Sequence, residues 1–260
     1  MAFRPAEFAN MTKFNSADSS DFLDLYESLL DAEIKSNNEG VKHKSFAPSA
    51  FRCPRLSWFR LRGVQPDAIT TPDRGNQFTA DIGTACHRII QRRLKAYLGQ
   101  DWLDVKTHVD NLGLDYTVTS GDSEYESYVD CHDIPVRFAC DGLIMYKFKK
   151  RLLEIKSCDH ASFVDLYEPK PKHIDQVELY CERLHLNDVL FMYVDRQYDG
   201  IKCFEHIVKP ATIDEVRSKC AYIMDMVDAN IAPEGLPKGD PDCSPSMCPY
   251  HAKCKEWGGR

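Results

Sequence analysis

Residues 151–157, RLLEIKS, constrain the fold most, because this run is mainly apolar and yet has two charged residues inside it. A short apolar run of this kind is typical of a buried strand. Side chains alternate along a strand, so Glu154 and Lys156 share one face while Ile155 points into the core. Ordinary surface charges do not usually flank an apolar residue in so hydrophobic a run. The pattern therefore favours a chemical function for the two charges.

Further strands and helices are predicted on both sides of this run from the period of the apolar residues. Strands are predicted at 124–130, 134–140, 142–148, 151–157, 189–196 and 201–209, with a hairpin turn at 198–200. Helices are predicted at 19–34, 79–98, 172–186 and 211–230. The stripe expected to be buried on the second of these helices is Ile82, Cys86, Ile89, Ile90, Leu94 and Tyr97. This order predicts an α/β domain with a central mixed β-sheet flanked by helices.

Composition and charge narrow the class of protein. The chain has 260 residues, 43% of them hydrophobic, which is enough for a substantial core. Its net charge of −7 argues against a passive nucleic-acid coat, which usually has a basic stripe, but is compatible with an enzyme whose carboxylates bind a metal. No run approaches the length of a membrane span, and the N-terminus lacks the apolar segment of a secretory signal. We therefore expect an intracellular, cytoplasmic protein (in the host cytoplasm if it is a phage protein) with no membrane partner.

A second carboxylate is expected beside the first. Asp141 ends a strand-like run, and if 134–147 pairs with 151–157 as a hairpin, Asp141 falls next to Glu154. Two such carboxylates suit Mg²⁺ or Mn²⁺, which can activate water and stabilise charge on a phosphoryl oxygen. Lys156 can then orient or deprotonate the attacking water. The alternative is a surface salt bridge, because D…E-x-K also occurs by chance.

Two weaker patterns, one before and one after these residues, complete an ordered set. The set runs Gly83 and His87, then Asp141 and Gly142, then Glu154 and Lys156, then Gln176 and Tyr180. This ordered set resembles the RecB-like branch of the PD-(D/E)xK nucleases, with helical G-x3-H, Asp-Gly, E-x-K and Q-x3-Y.

The resemblance implies a single PD-(D/E)xK nuclease domain over residues 46–257, preceded by an extension at 1–45 with one helix. It implies that His87, Asp141 and Glu154 ligate the metal, with help from the Ile155 carbonyl. It also implies that Lys156 is catalytic, and that Gln176 and Tyr180 position the metal site or the DNA.

Four of the eleven cysteines form a separate pattern. Cys243, Cys248 and Cys254 are spaced C-x4-C-x5-C, and Cys53 lies far upstream. An odd number of cysteines without a signal peptide argues against disulfides, and the absence of C-x2-C knuckles argues against a zinc ribbon. Such a Cys₄ set suits an iron–sulfur cluster. The other seven are single cysteines among apolar residues, where free cysteine behaves as a small hydrophobe.

This arrangement resembles the iron–sulfur members of the RecB-like nucleases, including the AddB helicase–nuclease subunit and the CRISPR adaptation nucleases. They have one cysteine before the nuclease core and three after it. The resemblance implies a 4Fe-4S cluster that joins the N- and C-terminal segments. Four residues lie between Cys243 and Cys248, where these nucleases usually have two, so Cys243 is the least secure ligand. Zn²⁺ is the alternative, and His251 could substitute as its ligand.

These observations predict a metal-dependent DNA exonuclease, acting on single strands or DNA ends in recombination, repair or phage replication. A structure-specific endonuclease or a CRISPR adaptation factor is the alternative within the class. A non-catalytic metal-stapled DNA-binding module and an iron–sulfur redox protein are the alternatives outside it. The substrate is DNA, and because no G-x4-G-K-[ST] occurs, a helicase or recombination protein would be a separate partner. No pattern specifies the oligomeric state.

Overall fold

The computed structural model describes residues 19–38, 43–67, 73–121, 125–198, 200–245 and 247–257. The helices are α1 Ser19–Asn38, α2 Pro54–Leu61, α3 Arg74–Leu98, α4 Val105–Asn111, α5 His160–Val164, α6 Pro171–Leu184, α7 Pro210–Asp228 and α8 His251–Glu256. The strands are β1 Trp102–Leu103, β2 Tyr116–Ser120, β3 Ser127–Cys131, β4 Val136–Cys140, β5 Gly142–Tyr146, β6 Lys149–Cys158, β7 Asp188–Asp195 and β8 Ile201–Ile207. Short 3-10 turns lie at Pro48–Ala50 and Gly99–Asp101.

The chain divides into two compact units. The smaller unit comprises residues 1–39 and 69–78, and the larger comprises 40–68 and 79–260. Within the smaller unit, Arg74 pairs with Glu27 at 2.6 Å and with Asp31 at 2.7 Å. The sequence did not indicate that 69–78 joins the N-terminal segment, and the predicted boundary after residue 45 stays a prediction.

A five-stranded mixed sheet forms the centre of the larger unit. Its strand order is β1-β5-β6-β7-β8, with β6 and β7 parallel and the other neighbours antiparallel. A parallel pair needs a crossover, which α5 and α6 supply between β6 and β7. The predicted central mixed sheet with flanking helices is thereby confirmed.

The middle of β6 is buried, as the sequence predicts. Leu152, Leu153 and Ile155 are fully buried, and Glu154 between them is only 2% exposed. Continuous burial is expected of a central strand covered on both faces. The helix α6 packs against β6 and also against α7. A buried carboxylate therefore lies in the core of the sheet.

The strands predicted at 134–140 and 142–148 are observed as β4 and β5, but the predicted hairpin of 134–147 with 151–157 is wrong for its first half. β4 pairs with β3 in a separate three-stranded sheet, while β5 pairs with β6. Gly142 starts β5, where an added Cβ would lie 2.8 Å from the Trp102 ring of β1. The close approach of this ring requires glycine at 142. Asp141 lies at the junction of the two sheets, between the end of β4 and the start of β5.

The predicted buried stripe on the helix α3 is also wrong. Ile89 is 42% exposed and Tyr97 is 88% exposed, and the other four residues of the stripe are only partly buried. The buried residue of α3 is instead Gln91, at 1% exposure, which bonds to the sheet. At this point α3 contacts the sheet through the hydrogen bond of Gln91 to the buried Asp141 rather than through apolar side chains. No helix in the described ranges is long and apolar enough to cross a membrane.

Candidate active site

The register of β5 and β6 brings the two predicted carboxylates together. Gly142 pairs with Leu153, so Asp141 precedes this pair on one strand while Glu154 follows it on the other. Asp141 is 5% exposed and Glu154 2%. The Ile155 amide donates a 2.7 Å hydrogen bond to Asp141 Oδ2. Asp141 is thereby fixed to the backbone of the strand that contains Glu154.

The helix α3 supplies two side chains to Asp141. His87 Nδ1 lies 3.1 Å from Asp141 Oδ1, and Gln91 Nε2 donates a 2.8 Å hydrogen bond to the Asp141 carbonyl. One turn before His87, an added Cβ on Gly83 would lie 3.2 Å from Ser157 Oγ, so α3 approaches β6 closely. Sequence reasoning missed Gln91, although its position four residues after His87 puts it on the same helical face.

A chain of hydrogen bonds leads from Glu154 to α6. Lys156 Nζ lies 2.5 Å from Glu154 Oε1 and donates to Gln176 Oε1 at 3.1 Å. Gln176 Nε2 in turn donates to the Tyr180 hydroxyl at 2.6 Å. The Tyr180 ring stacks on Phe138, with centroids 4.5 Å apart. The structure therefore brings Glu154, Lys156, Gln176 and Tyr180 into one connected group, while their roles stay predictions.

Burial and mutual charge govern the ionisation of this group. Burial raises the pKa of Glu154 to about 7, with Asp141 adding to the rise and Lys156 opposing it. Burial lowers the pKa of Lys156, but the charges of Glu154 and Asp141 outweigh it and the net shift is upward. Burial likewise opposes the protonated form of His87, yet its contact with Asp141 leaves the pKa raised. The rises at Lys156 and His87 reflect the negative charge of Asp141 and Glu154, which a cation would also offset, whereas the rise at Glu154 comes mainly from burial.

The donor set fits a hard divalent cation. It comprises the His87 imidazole, the carboxylates of Asp141 and Glu154 and the Ile155 carbonyl, and oxygen-rich sets of this kind suit Mg²⁺ or Mn²⁺. Within the described part of the chain, no group of three or more His, Cys, Asp or Glu side chains is arranged as a metal site. The Asp141 oxygens are instead occupied by His87 and the Ile155 amide. Metal ligation by these residues stays a prediction.

The four patterned cysteines line one cavity. Cys53, Cys243, Cys248 and Cys254 all contribute to the wall of a space of about 550 Å³. Burial raises the pKa of the Cys248 thiol to about 11, and the other three cysteines add to the rise. His251, the alternative zinc ligand, lies at the start of α8 and outside this wall.

Side chains around the cavity join the segment near Cys53 to the tail. Arg52 pairs with Asp240 at 2.8 Å and with Asp242 at 2.7 Å. Arg55 donates to the Pro233 carbonyl at 2.7 Å and reaches Cys254 Sγ at 3.7 Å. These protein contacts therefore hold the two ends of the predicted cysteine set together.

No family model and no curated protein matches this sequence. Among solved structures, that of SSO0001 matches with a TM-score of 0.43 and 15% identity, over 78% of this chain and 88% of that chain. An alkaline exonuclease from Laribacter hongkongensis matches with a TM-score of 0.40 and 15% identity, over 78% of this chain and 93% of that chain. The same exonuclease in complex with dAMP gives 0.39 and 16%, over 76% and 93%. Likenesses at this level establish neither a family nor an activity for this chain.

Proposed function

We propose that this chain is a metal-dependent DNA exonuclease that hydrolyses phosphodiester bonds at single strands or DNA ends. The observation that carries the proposal is the buried pair of Asp141 and Glu154, with the Lys156 ammonium 2.5 Å from Glu154. A buried carboxylate whose pKa is raised to about 7, next to a second carboxylate and a lysine, is typical of a catalytic centre.

The exposure of the surrounding side chains argues against a purely structural ion pair. The side chains of Asp141 and Glu154 are 7% and 2% exposed, whereas those of His87 and Lys156 are 25% and 20% exposed. The carboxylates therefore lie inside the protein, while the side chains of His87 and Lys156 are partly exposed. A substrate phosphate can approach on the side of the two nitrogen-bearing groups.

In this proposal His87, Asp141, Glu154 and the Ile155 carbonyl hold Mg²⁺ or Mn²⁺. The bound metal would supply a Lewis acid and lower the pKa of water. Lys156 can donate a hydrogen bond to the attacking water or to a phosphoryl oxygen, and its charge offsets the negative charge that develops during cleavage. Gln176 limits the positions open to the ammonium because it accepts one of its hydrogen bonds. Tyr180 in turn fixes Gln176.

We also propose that Cys53, Cys243, Cys248 and Cys254 hold a 4Fe-4S cluster, with Zn²⁺ as the alternative. The support is their common cavity and the C-x4-C-x5-C spacing of the last three. Such a cluster would act as a staple between the segment at residue 53 and the tail, because thiolate ligation couples metal binding to folding.

The test is to incubate anaerobically purified protein with labelled single- and double-stranded DNA in Mg²⁺, Mn²⁺ or EDTA. We expect cleavage with either metal, none in EDTA, and none from Lys156→Met with any addition. A DNA-binding module would retain the DNA without cutting it, and a redox protein would do neither. Cleavage in EDTA, or full activity of Lys156→Met, would contradict the proposal.

A further inference from the structure

Two exposed rings in contact lie past the C-terminal end of β6, the strand that contains Lys156. His160 follows the strand and Tyr198 follows β7, and their ring centroids are 4.6 Å apart at an interplanar angle of 70°. The His160 side chain is 46% exposed and Tyr198 is 64% exposed. Exposed aromatic rings in mutual contact offer the flat faces on which nucleic-acid bases stack.

A buried carboxylate holds the His160 ring and the backbone of Tyr198. Asp195, whose side chain is 1% exposed, lies 2.6 Å from His160 Nδ1. It also accepts hydrogen bonds from the amides of Gln197 at 2.9 Å and Tyr198 at 3.4 Å. Burial raises the pKa of Asp195, but these hydrogen bonds outweigh it and leave the pKa lowered, so the carboxylate remains charged. The imidazole is thus held directly, which lowers the entropic cost of stacking a base on it, and the backbone of Tyr198 is held beside it.

The ring pair lies at the same edge of the sheet as the end of the catalytic strand. Because β6 and β7 are parallel, their carboxyl ends meet, and Cys158 pairs with Asp195 there. His160 lies four positions after Lys156, and because β6 ends at Cys158 the distance is at most about 13 Å at the rise of a strand. At about 3.4 Å per nucleotide in a stacked strand this is about four nucleotides, and fewer in an extended one.

Two partly exposed cationic residues lie on the chain segments next to the end of β6. The Arg196 amide donates a 2.9 Å hydrogen bond to the carbonyl of Cys158, the last residue of β6. The Lys170 amide donates a 3.1 Å hydrogen bond to the hydroxyl of Tyr193, the β7 residue that pairs with Lys156. Lys170 and Arg196 therefore lie on the same side of the sheet edge as the route from Lys156 to the ring pair.

Two nearby carboxylates, those of Asp159 and Asp195, accept hydrogen bonds from the protein. Asp159 caps the helix α5 by accepting a 2.8 Å hydrogen bond from the Ser162 amide. Asp195 is occupied by the ring pair, as described above. The path from Lys156 to Tyr198 thus presents partly exposed cations and flat rings, a combination that binds single strands without regard to base sequence.

We propose that His160 and Tyr198 form a stacking platform for a base of single-stranded DNA, and that Lys170 and Arg196 contact its phosphates. The platform holds the strand about two to four nucleotides from the bond that is cut. This inference rests on the proposed nuclease function, since it assigns a strand-positioning site to that same centre.

The test measures binding and cleavage of fluorescently labelled oligothymidylates of 2 to about 12 nucleotides. Tyr198→Ala and His160→Ala are compared with wild type, with Tyr198→Trp as the conservative variant. Tyr222→Ala and His132→Ala serve as matched controls, because both residues are exposed and lie in α7 and in the β3–β4 turn. Binding is read by anisotropy in EDTA, and cleavage by kcat and KM in Mn²⁺.

We expect Tyr198→Ala and His160→Ala to raise Kd and KM about tenfold for oligonucleotides longer than about four nucleotides. Their kcat should stay within about twofold of wild type, and the shortest substrates should be unaffected. Tyr198→Trp should restore binding, because indole also stacks. The controls should match wild type at every length.

Two results would overturn the platform. One is an unchanged Kd and KM at every length in both alanine variants. The other is an equal loss for short and long substrates, which would indicate damage to the centre rather than loss of a stacked base. If the nuclease proposal is wrong, wild type cuts no DNA. The anisotropy measurement in EDTA then still shows whether Tyr198 contributes to DNA binding.

Discussion

The main-chain amide of Ile155 donates a 2.7 Å hydrogen bond to Oδ2 of Asp141, which ties the junction of the two sheets to the middle of β6. Asp141 thus has two predicted tasks, as a structural acceptor for this amide and as a metal ligand. Substitutions can separate the two tasks.

Asp141→Asn should keep the acceptor for the Ile155 amide while removing the charge, whereas Asp141→Ala removes both. We expect both variants to lose cleavage. Only the alanine variant should lose about 1–3 kcal/mol of unfolding free energy, because it leaves a buried amide unsatisfied. Urea unfolding and a cleavage assay measure the two effects. Equal stability of the two variants would refute the structural task, and wild-type cleavage by either would refute the catalytic one.

Tyr180→Phe removes the hydroxyl that accepts from Gln176 but keeps the ring stacked on Phe138. Because Tyr180 acts on Lys156 only through Gln176, we expect kcat to fall by about 2–10-fold, the equivalent of one hydrogen bond. Gln176→Leu should cost more, since it removes a direct partner of Lys156. Tyr116→Phe in the other sheet serves as the control. If kcat falls as much in Tyr180→Phe as in Lys156→Met, Tyr180 does not act through Gln176 as proposed.

Cys248→Ser should destabilise the whole larger unit if the four cysteines bind one metal centre. Metal analysis and thermal unfolding of anaerobic protein should show about four irons per chain and broad visible absorbance in wild type, and loss of both with a lower Tm in the variant. Cys203→Ser, at an exposed cysteine outside the cavity, is the control. Stoichiometric zinc would identify a zinc staple. A metal-free wild type with the same Tm as Cys248→Ser would exclude a metal centre.

His173 should make the protein less stable in acid. Burial lowers its pKa from 6.5 to about 3, and Nδ1 lies 2.7 Å from the Tyr193 hydroxyl. The folded protein therefore holds the neutral ring, and protonation favours the unfolded chain. The contribution to stability is complete above pH 6.5 and is lost progressively as pH falls toward 3.

His173→Gln should flatten this loss, because glutamine can accept the hydrogen bond without titrating. Urea midpoints at pH 7.5 and pH 5 measure it, with the exposed His132→Gln as the control. If His173→Gln and wild type lose the same stability between the two pH values, the buried neutral ring is not the cause.

The elements that the sequence predicted well are those with a strong local period. The strand expected at 151–157 is observed at Lys149–Cys158, and the helix expected at 172–186 is observed at Pro171–Leu184. The latter ends because His185 adopts a left-handed conformation with φ of +52°. The face shared by Glu154 and Lys156 followed from alternation alone, and their 2.5 Å contact agrees with it.

The features that the sequence did not reveal depend on partners distant along the chain. The strand β2 exists, and β4 lies outside the central sheet, because β2, β3 and β4 form a second sheet, and no local pattern marks which sheet a strand joins. Likewise Gln91 is buried by its bond to Asp141, 50 residues away. Asp195 meets His160 across 35 residues. Periodicity identifies an element, but not the partner that gives a polar residue its position.

The most direct test of the central claim is Mn²⁺-dependent cleavage by Asp141→Asn, Glu154→Gln and Lys156→Met, beside the exposed control Asp110→Asn. Wild type and Asp110→Asn should release nucleotides from labelled DNA in Mn²⁺ but not in EDTA. The three site variants should stay folded and lose at least about a hundredfold in rate. Cleavage at the wild-type rate by any folded site variant would contradict the assignment of the centre.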